Sequence, residues 1–292
     1  MSSVMKKLGM VVVVSIVLVV SLMLLKTWYE NTNNYASDEV CRQSIASYSR
    51  LVEYGLPADT SSIHCKPDKI TLSENKDVKR ILAEDMRRCW KNYGQGKLKL
   101  FGEGDGIFCS VCSFINSEDD LSVENFNKYL FLTPMIHSDD AYASYLSGYK
   151  TSGFDRISKS ELYKKMDNSV KDSFTIKKSD NFDYATVFVY IKGENYLEKW
   201  IKRSEVGAKG GAIMAGGGAI MIMTGVGLQT IPLIGTLTGG ILIVGGLSYI
   251  LVTEHLLSSD FEYMSNVVIV PYTSDSLYQL GCTKIPVSMI DE

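Results

Sequence analysis

Charged residues are missing from two long stretches of this 292-residue chain, residues 8–25 and 210–253. The second stretch has 44 residues without Asp, Glu, Lys or Arg, and as a helix it would reach roughly 66 Å, about twice the thickness of a hydrocarbon core. A run of that length predicts two membrane passes, and the first run predicts one more. Because neither run contains an ionisable residue, neither encodes a charged transport pathway.

The common catalytic motifs are absent as well. The chain has three histidines, and none of them accompanies a GxSxG, HExxH or P-loop pattern. Asp119-Asp120 and Asp139-Asp140 could bind calcium, although acidic residues at a helix start explain them equally well. We therefore expect no catalytic residue, no cofactor and no resident metal.

Neither sign of charge dominates the polar part of the chain. The 30 Lys and Arg residues are balanced by 33 Asp and Glu residues, and the two signs are interspersed. Nucleic-acid binding needs a basic face. The composition therefore excludes nucleic acid from the expected partners.

One polar interruption divides the long apolar run. The sequence Gln229-Thr230-Ile231-Pro232 suits the turn of a helical hairpin, so both ends of the hairpin would face the same compartment. The predicted organisation is a short cytoplasmic N-terminus (1–7), a transmembrane signal anchor (8–25), an extracytoplasmic domain (26–206), a glycine-rich transmembrane hairpin (207–253, turn near 229–232) and a tail that returns to the outer domain (254–292).

The cysteines indicate on which side of the membrane the main domain lies. All six fall within residues 26–206 and 254–292, and an even number of cysteines on one side favours disulfides in an oxidising compartment. Basic residues near 199–209 oppose this orientation, because basic flanks usually stay inside. A cleaved signal peptide is an alternative for 8–25, but the apolar core is long and no small-x-small cleavage site follows it. We predict an integral protein of the plasma membrane or cell envelope with its main domain outside.

The polar domain shows both helical and strand patterns. Thr71 and Glu74 have capping-box spacing and Gly94 can end a helix, so one helix is predicted over 71–94. Residues 97–101 and 107–115 predict a β-hairpin.

Further elements follow along the chain. Ser122 predicts the start of a short helix that Pro134 ends. Residues 186–191 and 266–270 are strand candidates on the same side of the membrane, so the tail is expected to pair in the sheet of the main domain. The predicted class of this domain is α+β.

Cys109 and Cys112 form the one CxxC motif of the sequence. A redox CxxC normally opens a helix, whereas residues 108–115 have strand character, which would point the two sulfurs to opposite faces. Each would then bond to a different partner, such as Cys89 on the helix. The disulfide candidates are Cys41, Cys65, Cys89, Cys109, Cys112 and Cys282.

A zinc site is the alternative if the domain were cytoplasmic. Cys109 and Cys112 would supply half of a tetrahedral ligand set, and His64 and Cys65 could complete it. Adjacent ligands and the lack of a second CxxC or an HxxxH make this set weak.

Glycines mark the second apolar run. Thirteen lie between residues 207 and 246, and Gly207/Gly211 and Gly235/Gly239 have the GxxxG spacing of a glycine zipper. These glycines are the predicted helix-packing residues, either within the hairpin or between subunits. A pore with a hydrophobic gate is also compatible with such a run.

Two resemblances accompany these patterns. The glycine-rich run 207–253 is similar in composition to the hydrophobic hairpin of pore-forming colicins, without the charged helices that surround it there. Separately, Cys89-Trp90, Gly94-Gln-Gly96-Lys-Leu98 and Phe108-Cys109-Ser-Val-Cys112 resemble a pattern of uncharacterised membrane-anchored archaeal proteins. That resemblance implies an N-terminal anchor with an exported domain, and no activity.

Together these features predict three transmembrane helices with an extracytoplasmic α+β domain. We expect a structural or interaction subunit of a cell-envelope assembly, with membrane lipid and homo- or hetero-oligomeric proteins as partners. The 17 tyrosines are expected to serve protein contacts. The alternatives are a pore-forming or membrane-active protein and an envelope thiol-disulfide oxidoreductase that uses Cys109 and Cys112.

Overall fold

The fold is known from a computed structural model, which describes the backbone of residues 2–102, 104–126, 129–130, 133–146, 173–193, 195–196, 223–226, 240–244, 247–251 and 263–282. Four α-helices have described bounds, α1 (Ser2–Glu53), α2 (Val78–Asn92), α3 (Tyr142–Leu146) and α4 (Ser274–Gln279). Short 3-10 helices cover Thr60–Ser62 and Gly94–Gly96, and residues 126, 129–130 and 195–196 are helical as well. The strands are β1 (Asp68–Leu72), β2 (Gly106–Ser117), β3 (Leu121–Glu124), β4 (Ser173–Ile176), β5 (Ser179–Lys192), β6 (Met223–Val226), β7 (Gly240–Val244), β8 (Leu247–Leu251) and β9 (Tyr263–Pro271). The described part of the chain is therefore a mixed α and β structure.

A five-stranded sheet with the order β1-β2-β5-β9-β6 forms the centre of the fold. β1 is parallel to β2, and the other neighbours are antiparallel. The strand expected at 186–191 lies in β5, and the one expected at 266–270 lies in β9, directly beside β5. Sequence positions about 80 residues apart thus form adjacent strands, as register pairs such as Val187 and Val268 show.

Both faces of the sheet are apolar. On β5, Phe188 and Tyr190 belong to the core shared with α1 and α2, whereas Val187 and Val189 belong to a second core on the opposite face, which α4 helps to cover. All four side chains are fully buried. A sheet buried on both faces requires strands that are apolar at almost every position, which explains the continuous apolar sequence of β5 and β9.

Helix α2 begins later than the sequence predicted. Its N-cap is Asp77, whose side chain accepts a hydrogen bond from the backbone N–H of Arg80 at 3.2 Å. Thr71 lies in β1 instead, where the alternating burial of residues 68–72 fits a strand paired with β2. The capping-box prediction at Thr71 and Glu74 was therefore wrong, because strand pairing competes for the same residues.

The end of this helix was predicted correctly. Gly94 has φ +72°, and a Cβ at that position would lie 2.3 Å from Cδ1 of Leu98. Both the left-handed backbone and the close approach of Leu98 therefore require glycine here.

Two local predictions near β2 are corrected. Residues 97–101 do not form a strand, and β2 pairs with β1 and β5 instead of with them. Residues 121–124 form β3 instead of the start of a helix, because their alternating burial suits pairing with β4. The predicted helix begins only after this strand, where Phe126, Tyr129 and Leu130 are helical. Strand pairing over long sequence distances overrode the local patterns in both places.

The three-helix membrane architecture is contradicted. Strands β6, β7 and β8 lie inside the predicted helical hairpin 207–253, and β6 pairs with β9 in the central sheet. Glycine disfavours helix, and the β-branched and aromatic residues of β7 and β8 favour strand, so an apolar run alone does not specify helix. The predicted turn at 229–232 lies outside the described residues.

The N-terminal run 8–25 is helical as part of α1. Side chains of α1 are described for residues 16–26 and from 36 onward. Across the described residues, the structure holds no helix whose length and apolarity would suffice to cross a membrane.

Candidate functional site

A buried polar cluster lies where α2 packs on the central sheet. Its centre is Asp85, which is 4% exposed on the apolar side of α2. The carboxylate accepts hydrogen bonds from the hydroxyl of Thr186 at 2.5 Å, from the hydroxyl of Ser113, and from Nη2 of Arg88 at 2.9 Å. Side chains from α2, β2 and β5 thus converge on one carboxylate.

A β-bulge places Ser113 in this cluster. In β2, Val111 pairs with Val187 and Ser113 pairs with Thr186, so Cys112 is the extra residue between them. In a regular strand Val111 and Ser113 would share a face, but Val111 lies in the core opposite α2, whereas Ser113 bonds to Asp85 on α2. The bulge therefore turns Ser113 to the same side as Thr186.

Arg88 extends the cluster toward the surface. Its guanidinium bonds to Asp85 and also to the carboxylate of Asp68 on β1. Burial by itself would lower the pKa of Arg88, but the charges of Asp85 and Asp68 outweigh it and the net shift is upward. Burial raises the pKa of Asp68, with Arg88 opposing the shift. Arg88 thus holds two carboxylates from different elements.

The chemistry of the cluster is that of a packing interaction. Ser113 and Thr186 are 0% exposed, so no substrate reaches their hydroxyls in this conformation. The hydroxyl protons point to a carboxylate that already has three donors, an arrangement that satisfies a buried charge. We interpret the cluster as the polar attachment of α2 to the sheet.

A signal for this cluster was present in the sequence. Asp85 lies between Leu82 and Met86 on the apolar stripe of α2, where a carboxylate is rare unless it has partners. Its hydroxyl partners could not be identified in the same way, since only the register and the bulge bring Ser113 beside Thr186.

Tyrosines of the central sheet form hydrogen bonds with the loop after α2. The hydroxyl of Tyr190 accepts a hydrogen bond from the backbone N–H of Leu100 at 3.2 Å, and the hydroxyl of Tyr263 donates to the carbonyl of Lys97 at 3.1 Å. Tyr93, which bonds to Ser110 on β2, is fully buried, and burial raises its pKa to about 12. The backbone of the loop is therefore held against β5 and β9.

All six cysteines form disulfides, which confirms the prediction of disulfide bonds. The pairs are Cys41–Cys65, Cys89–Cys112 and Cys109–Cys282.

Cys109 and Cys112 do not pair with each other. Cys112 bonds to Cys89 of α2 on one face of the sheet, and Cys109 bonds to Cys282, which follows α4, on the other. The thiol pair on which the oxidoreductase alternative depends is therefore not formed.

The alternative metal ligands are not brought together either. Cys65, Cys109 and Cys112 are all committed to disulfides, so they cannot form the zinc set with His64. Across the described residues, no group of three or more His, Cys, Asp or Glu side chains is placed to hold a metal ion.

Asp119 and Asp120 accept hydrogen bonds from the backbone of other segments. Asp119 accepts a hydrogen bond from the backbone N–H of Glu74 at 3.1 Å, and Asp120 accepts one from the backbone N–H of Lys178 at 2.7 Å. Both side chains thus link the loop between β2 and β3 to segments distant in sequence.

The predicted helix-packing glycines Gly207, Gly211, Gly235 and Gly239 lie outside the described residues. The structure therefore assigns no packing role to this set of glycines.

The two remaining histidines are His137 and His255. His137 lies in a turn with φ +61°, and His255 lies outside the described residues.

The most unusual surface is the N-terminal part of α1. Nine large apolar side chains between Ile16 and Leu25 are 49–66% exposed. Farther along the same helix, Ile45 and Tyr48 are buried in the core against α2 and the loop that follows it. Among the described side chains of α1, those from Ile16 to Leu25 are therefore apolar and uncovered, whereas Ile45 and Tyr48 are packed.

Comparisons of this chain with protein-family models, with curated proteins and with solved structures found no match. The resemblances to membrane-anchored archaeal proteins and to colicin hairpins therefore stay predictions.

Proposed function

We propose that this chain is a structural or interaction subunit at the cell envelope, whose disulfide-supported domain lies in an oxidising compartment and works through protein contacts. The observation that carries the proposal is the complete pairing of the six cysteines. Structural disulfides of this kind persist in oxidising compartments and are rare where thiols are kept reduced.

The positions of the disulfides support a structural role. One joins α1 to the segment before β1, one joins α2 to β2, and one joins β2 to the segment after α4. Cys41, Cys89 and Cys109 are each 5% exposed or less. Such bonds stabilise the framework of a domain and offer little access for thiol exchange.

The surface suited to protein contact is smaller than the tyrosine content suggests. Many of the described tyrosines belong to the core, whereas Tyr54 and Tyr278 are 77% and 79% exposed. Exposed tyrosines combine a large apolar ring with a polar hydroxyl, which makes them common contact residues. Tyr54 and Tyr278 are therefore the contact residues of the proposal, which requires no catalytic residue and no cofactor.

Thiol labelling of intact cells tests the compartment. A membrane-impermeant maleimide is applied with and without prior reduction, and labelled cysteines are identified by mass spectrometry. We expect labelling only after reduction, because every cysteine is in a disulfide. Labelling that needs lysis but no reduction would place free thiols inside the cell and overturn the proposal.

Site-specific photo-crosslinking tests the protein contacts. A benzophenone amino acid replaces Tyr278 or Tyr54 in turn, and Tyr93, which is 2% exposed, serves as the buried control. We expect discrete intermolecular products from the exposed positions and none from the control. If neither exposed position forms such products in cells, the domain does not use this surface for protein contact.

A further inference from the structure

Two described segments of α1, residues 16–25 and 36–53, differ in how their apolar side chains are arranged. Between residues 36 and 53 the buried positions Cys41, Ile45, Tyr48 and Val52 recur at intervals of four, three and four, which is one stripe along the helix. Between residues 16 and 25 the exposed apolar side chains are consecutive apart from Ser21. Since each residue turns the helix by about 100°, these side chains point in every direction around the axis.

This apolar surface is also large. The exposed fractions of 49–66% correspond to an area on the order of 900 Å², well above the few hundred Å² that mark an interaction surface. A helix that is apolar all round is stable when its whole circumference is covered. A single protein helix packed against it would cover only one stripe.

We propose that the segment of α1 from Ile16 to Leu25 embeds in the acyl-chain region of a lipid surface. Lipid covers a helix from all sides, which matches the distribution of these side chains. Ten residues rise by about 15 Å, roughly half the thickness of a hydrocarbon core, so the described apolar side chains reach into one leaflet. Lys26 follows Leu25 directly and lies at the polar boundary of the layer, as long cationic side chains do. This inference deepens the proposed function by naming lipid as a partner of the envelope domain.

Vesicle flotation tests the proposal with the full-length protein. The chain is purified in detergent, mixed with phosphatidylcholine vesicles, freed of detergent and floated on a density gradient. The test variant is Leu18→Glu with Leu22→Glu, and the matched control is Val40→Glu with Ser47→Glu, which adds the same charge at exposed positions of the same helix. We expect the wild type and the control to float, and at least tenfold less of the test variant to do so.

Three outcomes would overturn the proposal. The first is a wild-type protein that does not float, and the second is a test variant that floats as well as the control. The third is a defined wild-type oligomer without lipid that the test variant loses, since a second copy would then be the occupant. Intact-protein mass and far-UV circular dichroism show whether the test variant keeps its disulfides and fold. Thiol labelling reports the compartment of the domain independently of flotation. A protein that does not float would therefore overturn the lipid proposal without affecting the proposed location of the domain.

Discussion

At the residue scale, one buried carboxylate connects three elements. Without partners, the buried carboxylate of Asp85 would destabilise the folded state, because removing a carboxylate from water is costly. Two hydroxyls and one guanidinium replace the lost hydration. The cluster thus specifies how α2 lies on the sheet, since no other placement of the helix would give Asp85 these partners.

Asp85→Ala tests this role. The change leaves Ser113 and Thr186 with buried hydroxyls and Arg88 with one carboxylate fewer, so we expect the free energy of unfolding to fall by roughly 3 kcal/mol. Urea denaturation with the disulfides intact measures the loss. Glu118→Ala removes an exposed carboxylate and should stay within about 0.5 kcal/mol of wild type. Equal effects of the two substitutions would contradict the assigned role of Asp85.

At the element scale, strand pairing determined the secondary structure of several segments for which the local sequence pattern predicted something else. The segment around Thr71 carries a capping-box signal, yet β1 extends through Leu72 because β2 offers a parallel partner. β6 forms within an apolar glycine-rich run because β9 offers it an antiparallel partner. Helical and strand signals of short apolar segments are similar in sequence, and the available partner then determines the outcome.

The start of α2 can be tested by comparing two candidate caps. Asp77→Ala removes the side chain that accepts from Arg80, and we expect a loss of about 1 kcal/mol in the free energy of unfolding. Glu74→Ala removes the partner that the capping-box pattern proposed, and we expect a change below about 0.5 kcal/mol. Chemical denaturation of both variants gives the comparison. If Glu74→Ala lowered the free energy of unfolding more than Asp77→Ala did, the capping box predicted at Thr71 and Glu74 would be supported instead.

At the scale of the whole molecule, the disulfides differ in how much chain they enclose. Cys109–Cys282 spans a sequence separation of 173 residues, whereas Cys41–Cys65 spans 24. A cross-link restricts the unfolded chain more strongly when it closes a longer loop. The bond between Cys109 of β2 and Cys282 is therefore expected to contribute most to stability.

Paired serine variants test this order. We expect Cys109→Ser/Cys282→Ser to lose about 2 kcal/mol more than Cys41→Ser/Cys65→Ser, from the ratio of the loop lengths. The two pairs are suitably matched, because Cys109 and Cys41 are both buried. Thermal and chemical unfolding, with the remaining disulfides verified by mass, measure the difference. If removing the Cys41–Cys65 bond lowered stability more, packing in the folded state would contribute more to these bonds than restriction of the unfolded chain does.

The sequence by itself determined the features that depend on neighbouring residues. The periodicity of α2, the strand character of β5 and β9, the end of α2 at Gly94, and the opposite faces of Cys109 and Cys112 follow from local geometry and side-chain type. The tertiary structure decided what depends on partners distant in sequence. The disulfide pairs, the placement of Ser113 beside Thr186, and the strands within the run that resembled a helical hairpin all require register, a bulge and strand pairing, which residue type alone does not encode.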